Sequence, residues 1–444
     1  MVRVEPFAVE QVSLLIPVPA LSRANVVPPQ ERHAASDRQA TLQWLFDSPD
    51  RFLEAWMDAY ETTAKYNIAE TCCASVSVTQ LAELSESKNK DIVDLSTVLT
   101  YGEIRGSSEL RNNLARLYSS KVGSPLSPDN VLIQPGAIAA NHLVLYTLVG
   151  PGDHVVCHYP TYQQLYAVPA QLGADVDLWK ARPERDWLPD IEELKALVKS
   201  NTKLIILNNP QNPTGKALPK TLLQRVIDVA SEKGITVLSD EVYRPLFHGI
   251  TPMDREFPPS ILSMGYANTI STGSLSKAYS LAGIRVGWLA SRNKDLIEQC
   301  AAARDYTTIS VGILDQQIAA YALHPDTVHS LLGRNIKLAK TNLELLERFV
   351  VKHDEYCSWV KPVAGTTAFI KFERDGQPID AVEFCKRLQE KTGVMLLPGD
   401  RGFGEEFKGY VRVGYVNRTD IVEEGLKLVR QFMRKEYDDV PLSN

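Results

Sequence analysis

The stretch STGSLSKAYSLAGIRVGW, Ser271 to Trp288, holds one lysine, Lys277, among serines, alanines and glycines, with Arg285 eight residues further on and no acid between them. A lysine that merely solvates a surface has no need of such small neighbours. Lys277 therefore reads as an amine put to chemical use. With no carboxylate beside it in sequence to hold the ammonium form, it can lose its proton and attack a carbonyl carbon. The runs on either side, NTISTGS (268–274) and IRVGWLA (284–290), read as strands, so Lys277 follows a strand end.

Outward from there, short apolar strands alternate with helices: NVLIQPG (130–136), a helix from about Ala139, DHVVCHYP (153–160), ADVDLW (174–179), TKLIILNNP (202–210), a helix from about Lys220, and ITVLSDE (235–241). Such alternation indicates an α/β fold with a mostly parallel sheet, of the seven-stranded type, covered by helices on both faces. Upstream, SPDRFLEAWMDAYETTAKY (48–66) has Phe52, Trp56 and Tyr60 at helical spacing with Ser48 as cap, and SSELRNNLARLYSSK (107–121) is a second amphipathic helix. Downstream, one long helical stretch runs from about Ile313 to His353. TTAFIKFE (366–373), AVEFCKRLQEKTG (381–393), VMLLPG (394–399), YVRVGY (410–415) and a last helix then make a smaller α+β domain. The economical division is an N-terminal arm (1–45), a piece of the small domain (46–94), a large domain (95–330) and the rest of the small domain (331–444).

Composition narrows the function classes. The 444 residues are 44% hydrophobic and 23% charged, as in an ordinary globular protein, and the net charge of −6 carries no footprint for nucleic acid or an anionic membrane. No run of 18 apolar residues suggests a membrane span, and prolines and Glu5 and Glu10 around the first apolar piece argue against a signal peptide. The six cysteines are scattered, with no metal-ligand spacing, which points to a reducing compartment, the cytosol.

Ligands of open α/β sheets bind beyond the carboxyl ends of the strands. The residues standing there are Gly136-Ala137-Ile138 opening a helix, Tyr162, Asn208, Asn209 and Asn212 before Pro213-Thr214-Gly215, Asp240 with Tyr243, and Ser274 with Lys277. Each alone is a cap, a turn or a solvated side chain; the five groups together resemble the class I/II aminotransferases, fold type I enzymes that use pyridoxal 5'-phosphate, over residues 95–430.

The resemblance implies roles residue by residue. Lys277 matches the lysine that bonds to the cofactor aldehyde. Asp240 matches the acid that pairs with the pyridine nitrogen, Tyr243 and Asn212 the partners of the ring hydroxyl, and Tyr162 the aromatic stacked on the ring. Ser274, Arg285 and Gly136-Ala137-Ile138 match the phosphate cradle. Arg412 in YVRVGY matches the arginine that holds a substrate carboxylate. Tyr101 in YGEIRGSSELR resembles a tyrosine that reaches the neighbouring subunit's phosphate, which implies a homodimer with shared sites. The implied activity is on an amino acid through external aldimine and quinonoid intermediates, with transamination as the default reaction and a 2-oxo acid as co-substrate.

Two features depart from that pattern. Ile138 stands where a hydroxyl or amide residue usually follows the phosphate-loop Gly-Ala, and YNIAETCCASVSVTQLAEL (66–84) replaces the usual L-x-x-G-x-P segment. Its NIAE resembles the NIAD of the pyridoxal phosphate-dependent L-arginine oxidases, and the N-terminal region is similar to capreomycidine synthases. That subgroup implies Glu70 as a substrate carboxylate for a basic amino acid, and hence a specialised cyclase or O2-dependent oxidase as the alternative reaction. The oxidases continue with Gly-His, where this chain has Thr71 and Cys72. A non-catalytic cofactor-binding regulator is the remaining alternative, without any helix-turn-helix extension to support it.

Overall fold

The structure is a computed structural model and describes residues 52–87, 91–119 and 125–443; the expected N-terminal arm and the Ser48 cap lie outside them. A two-residue strand, β1 (Tyr66–Asn67), precedes β2 (Val131–Gln134), β3 (His154–Tyr159), β4 (Asp175–Lys180), β5 (Thr202–Asn208), β6 (Thr236–Asp240), β7 (Thr269–Ser274) and β8 (Gly287–Ser291). These last seven form one sheet in the order β2-β8-β7-β6-β5-β3-β4, parallel except for β8, which runs antiparallel to both neighbours. The expected fold class holds.

Successive residues of a strand face opposite sides, and both sides here are apolar. Leu132, Val155, Cys157, Leu204, Ile206, Leu238 and Ile270 pack in one core cluster with residues of the helices Ala137–Leu148 and Lys294–Arg304. Val131, Ile133, Val156, Ile205, Leu207 and Val237 belong to a second, larger core. Parallel register aligns the strand ends: Asn208 lies opposite Asp240, and Asp240 opposite Thr272. The polar residues read as strand-end groups are thereby set side by side.

The larger core continues into a second sheet. Its strands are β9 (Cys357–Trp359), β10 (Thr367–Arg374), β11 (Gln377–Pro378), β13 (Leu397–Pro398) and β14 (Tyr410–Gly414), in the order β11-β10-β14-β13 with β9 also on β10; β12 (Val394–Met395) pairs instead with β1. The helix Phe52–Tyr60 is fastened to this part by Trp56, whose indole donates to the Leu396 carbonyl at 2.9 Å. No described helix is long and apolar enough to cross a membrane.

Two expectations change in detail. The stretch Ile313 to His353 is two helices, Ile313–Ala322 and Pro325–Lys352, because Pro325 cannot donate into a continuing helix and His324 caps the second one by accepting from the Asp326 N–H. The helix expected from Ala139 starts at Ala137, just after Gly136 turns the chain at φ 85°.

Gly414 joins the fold to the site. Its N–H donates to the Ile68 carbonyl at 2.8 Å, and a Cβ on it would run into the Glu70 carbonyl oxygen. Gly414→Ala should cost about 1–3 kcal/mol through overpacking and push residues 68–72 off β14. Denaturant unfolding of the cofactor-free protein checks this; an unchanged midpoint would show that the contact yields without strain.

Candidate active site

A cavity of about 410 Å³ opens beyond the ends of β5, β6 and β7, and its walls include Glu70, Tyr162, Asn212, Asp240, Tyr243, Ser274, Lys277, Arg285 and Arg412. Ala137 and Ile138 also line it, and Gly136 stands directly behind as the cap of their helix. Twelve of the thirteen residues singled out from sequence therefore converge. The exception is Tyr101, which lies apart and is 73% exposed, in line with a role toward another subunit rather than its own.

Asp240 ends β6 and is buried at 3% exposure. Its Oδ2 accepts from Asn141 at 3.1 Å and its Oδ1 from the Val242 N–H at 3.2 Å, while Thr272 donates to Asn141 Oδ1 at 2.6 Å and fixes that amide. Burial pushes the acid up to about 6, against the opposing effect of those two hydrogen bonds. Such a carboxylate is poised to gain from a cationic N–H brought against it. Asn141 was not singled out from sequence; its signal is a lone amide one turn inside the largely apolar helix AIAANHLVLYTL.

The anion end is built from backbone and one guanidinium. Arg285 takes a left-handed conformation at φ 51° and donates from Nη1 to the Ala282 carbonyl at 2.9 Å and to Ser276 Oγ at 3.3 Å. Its Nη2 would be 2.7 Å from a Cβ on Gly136, so glycine there lets the guanidinium lie against the helix start. Gly287 does the same from below, since a Cβ on it would be 2.6 Å from the Ala137 nitrogen. Unpaired N–H groups at a helix start together with a fixed guanidinium suit a phosphate, and this backbone arrangement works with Ile138 in place of a hydroxyl residue.

Arg412 on β14 is buried at 4% exposure; Nη2 donates to the Ala69 carbonyl at 2.9 Å and Nη1 to Asn212 Oδ1 at 3.4 Å, and Nε has no partner. Burial lowers its affinity for its proton. A guanidinium so desolvated and incompletely paired favours an incoming carboxylate.

Lys277 departs from expectation. The sequence places no acid near it, but the fold brings Glu70 into its neighbourhood from the 67–76 segment. Burial lowers its proton affinity, while Cys72, Tyr243 and Glu70 raise it, for a net rise above the ordinary lysine value. Of these three, burial keeps the Cys72 thiol protonated up to about 11 and lifts the Tyr243 phenol, so Glu70 is the one ionised near neutral pH. Burial would raise Glu70, but the Lys277 charge and the Cys72 and Thr71 N–H groups keep it ionised. Its Oε1 accepts from those N–H groups at 2.8 and 2.6 Å, so the local cap that is such a residue's ordinary role is present, in a wall of the cavity. Glu61, a second acid in the cavity wall, carries no signal in the sequence reading; burial and the Glu70 charge raise its proton affinity.

The donor set fits pyridoxal 5'-phosphate: an amine for the aldehyde, a buried acid for the ring nitrogen, a phenol and an amide for the ring oxygen, and a guanidinium with a helix start for the phosphate. The comparisons with known proteins agree. The family model for aminotransferase class I and II matches residues 77–425. Capreomycidine synthase of Streptomyces vinaceus is 30% identical over 302 residues, 68% of this chain and 74% of that protein. Among solved structures, a PLP-dependent aminotransferase from Streptococcus suis 89-1591 superposes with a TM-score of 0.78 at 38% identity, covering 86% of this chain and 97% of that one. The PLP-dependent cyclase OrfR superposes with a TM-score of 0.76 at 26% identity, covering 88% and 98%.

The raised Asp240 has a consequence for pH. With the folded value near 6 and the ordinary value 3.8, the folded protein binds more protons than the unfolded chain between those limits, so this acid's contribution to stability falls as pH rises. Measured without cofactor, the stability of the protein relative to Asp240→Asn should rise by on the order of 3 kcal/mol between pH 8 and pH 4. A pH-independent difference would mean that Asp240 titrates normally.

Proposed function

The chain belongs to the aminotransferase class I and II family and is a pyridoxal 5'-phosphate-dependent enzyme, and on that premise we propose that it moves the amino group of an α-amino acid to a 2-oxo acid. The observation that carries this reading is that Lys277 and Arg412 line one cavity, with the Arg412 Nε unpartnered. An α-amino acid held by its carboxylate at Arg412 has its Cα and amino group turned toward Lys277.

Bound pyridoxal phosphate supplies an electrophilic carbon and a ring that withdraws electron density from Cα. The protein does the rest. Asp240 holds a proton on the ring nitrogen, which its buried carboxylate favours as an ion pair. Tyr243 and Asn212 bind the ring oxygen, Tyr162 packs against the ring face, and Arg285, Ser274 and the start of the Ala137 helix anchor the phosphate. Lys277, with its amine free and near Cα, would take the proton from Cα and would give it back to the cofactor carbon that receives the amino group. Exposed Leu95, Val98, Leu99 and Tyr101 form an apolar stretch that suits a second copy of the chain, with Tyr101 reaching the partner's phosphate site.

A second reading is favoured by Glu70, an ionised acid in the cavity wall, and by the likeness to a cyclase: a cyclisation or O2-dependent oxidation of an arginine-like amino acid. A desolvated charge contact of this kind is worth ~2–5 kcal/mol.

The deciding experiment adds a panel of amino acids to the holoenzyme and follows the cofactor absorbance and dissolved oxygen, with and without 2-oxoglutarate or pyruvate. Transamination is expected to bleach the aldehyde band and a 2-oxo acid to restore it. Turnover of a basic amino acid that ignores the 2-oxo acid would replace this reading with the second, and oxygen uptake would then separate oxidase from cyclase. Glu70→Gln should weaken basic substrates selectively, by ~30-fold or more if the contact is worth the lower figure. Equal loss across neutral and basic amino acids would remove Glu70 from substrate recognition. Lys277→Ala should abolish turnover, and an active variant would refute the assignment of the amine.

A further inference from the structure

The Lys277 amine is held by two groups outside the set that fits the cofactor. Nζ donates to Thr71 Oγ1 at 2.6 Å and lies 3.5 Å from Cys72 Sγ. Thr71 is buried, and its hydroxyl opposes the rise that burial causes in the proton affinity of the Tyr243 phenol. A hydroxyl has one proton. Since Thr71 accepts from Lys277, that proton is left for an acceptor other than the amine.

The segment that carries Thr71 and Cys72 is pinned on both sides. Glu70 accepts from both of their N–H groups, the Cys73 N–H donates to the Lys277 carbonyl at 3.1 Å, and the Val76 N–H donates to the Ser280 carbonyl at 3.2 Å. The two acceptors are therefore fixed to the same loop whose amine they receive.

We propose that Thr71 and Cys72 form the resting position of the Lys277 amine whenever it is not bonded to the cofactor. They accept from two of its N–H groups and leave its third position turned to the cavity. An ammonium has three donors and the neutral amine two donors and one lone pair, so a hydroxyl and a thiol hold the group in either state, and the free position carries the lone pair once its proton is lost. Neither carries a charge that would fix it as an ammonium ion, whereas a carboxylate in the same place would. Thr71 and Cys72 are on this account positioning residues. The inference rests on the role proposed above for Lys277, but it concerns the amine itself and can be read in the cofactor-free protein.

The test compares Thr71→Val, which keeps the shape and removes the hydroxyl, with Thr71→Ser, which restores it. In the cofactor-free protein, the pH dependence of Lys277 acetylation by acetic anhydride, quantified by peptide mass spectrometry, reports the amine's proton affinity and reactivity. Thr71→Val is expected to shift that profile to lower pH, because an acceptor of the ammonium form is lost, and Thr71→Ser to return it. In the holoenzyme, kcat should fall ~10- to 100-fold in Thr71→Val with KM for the amino acid little changed, as for a misplaced reacting group. Coincident acetylation profiles for wild type and Thr71→Val would overturn the proposal, and so would equal loss of kcat in the Val and Ser variants. Should Thr71→Val fail to fold, Cys72→Ala is read in the same way: a shifted acetylation profile supports the resting position and an unmoved one overturns it. The acetylation result stands whether the holoenzyme transaminates, cyclises or oxidises its substrate.

Discussion

A carboxylic acid buried at the end of the middle strand of a parallel sheet is the constraint on which the site depends. Asp240 is costly to ionise where it stands, and the fold answers with the Asn141 amide, itself held by Thr272, and the Val242 N–H. Three consecutive strand ends must stay in register for this to work, because Asn141 is reached across the sheet end and Asn208 steadies the neighbouring turn by accepting from the Asn212 N–H at 2.7 Å. A slip of one residue would turn Asp240 to the other face. The apolar run of β5 and β6 therefore does more than fill a core: it fixes a buried acid in the wall of the cavity.

The N-terminal segment is the second half of the construction. Residues 67–76 lie between the two sheets' contributions: Asn67 caps the turn by accepting from the Ala69 and Glu70 N–H groups, Gly414 and Val416 hold the segment to the C-terminal strand region, and Lys277 and Ser280 hold it to the lysine loop. Arg412 closes the same circuit through the Ala69 carbonyl. Arg412, Lys277 and Glu70 are thus positioned by one short stretch of chain, and a change in that stretch acts on all three together.

That arrangement explains what could be read from the sequence and what could not. Lys277, Asp240, Tyr243 and Asn212 announce themselves because strand ends are recognisable from local pattern and ligands bind beyond them, whereas Arg285 is reached only through the resemblance to the family. Asn141 escaped because a helix face gives no local hint that one amide points at a carboxylate 99 residues away. The contact of Lys277 with Thr71 and Cys72 spans more than 200 residues and involves small side chains with no periodic signature. The absence of an acid near Lys277 in sequence was a true local fact with the wrong spatial implication, since the fold supplies Glu70 from the other end of the chain. The break at Pro325 was legible in the residue itself, but apolar periodicity carries through it and masks the two-residue gap.

The distribution of charge in the cavity follows from the same geometry. Arg285 with the start of the Ala137 helix, Arg412, and Glu70 with Glu61 all stand in its wall. Arg412 is already bonded to Ala69 and Asn212, so its guanidinium is held in place before any anion meets it. Burial and the Glu70 charge raise the proton affinity of Glu61, while the Lys277 charge opposes that rise. The two acids of this wall, Glu61 and Glu70, thus come from residues 61–70 and stand apart in sequence from the strand-end groups Asp240 and Lys277, so a change in that segment alters the charge of the wall without replacing those groups.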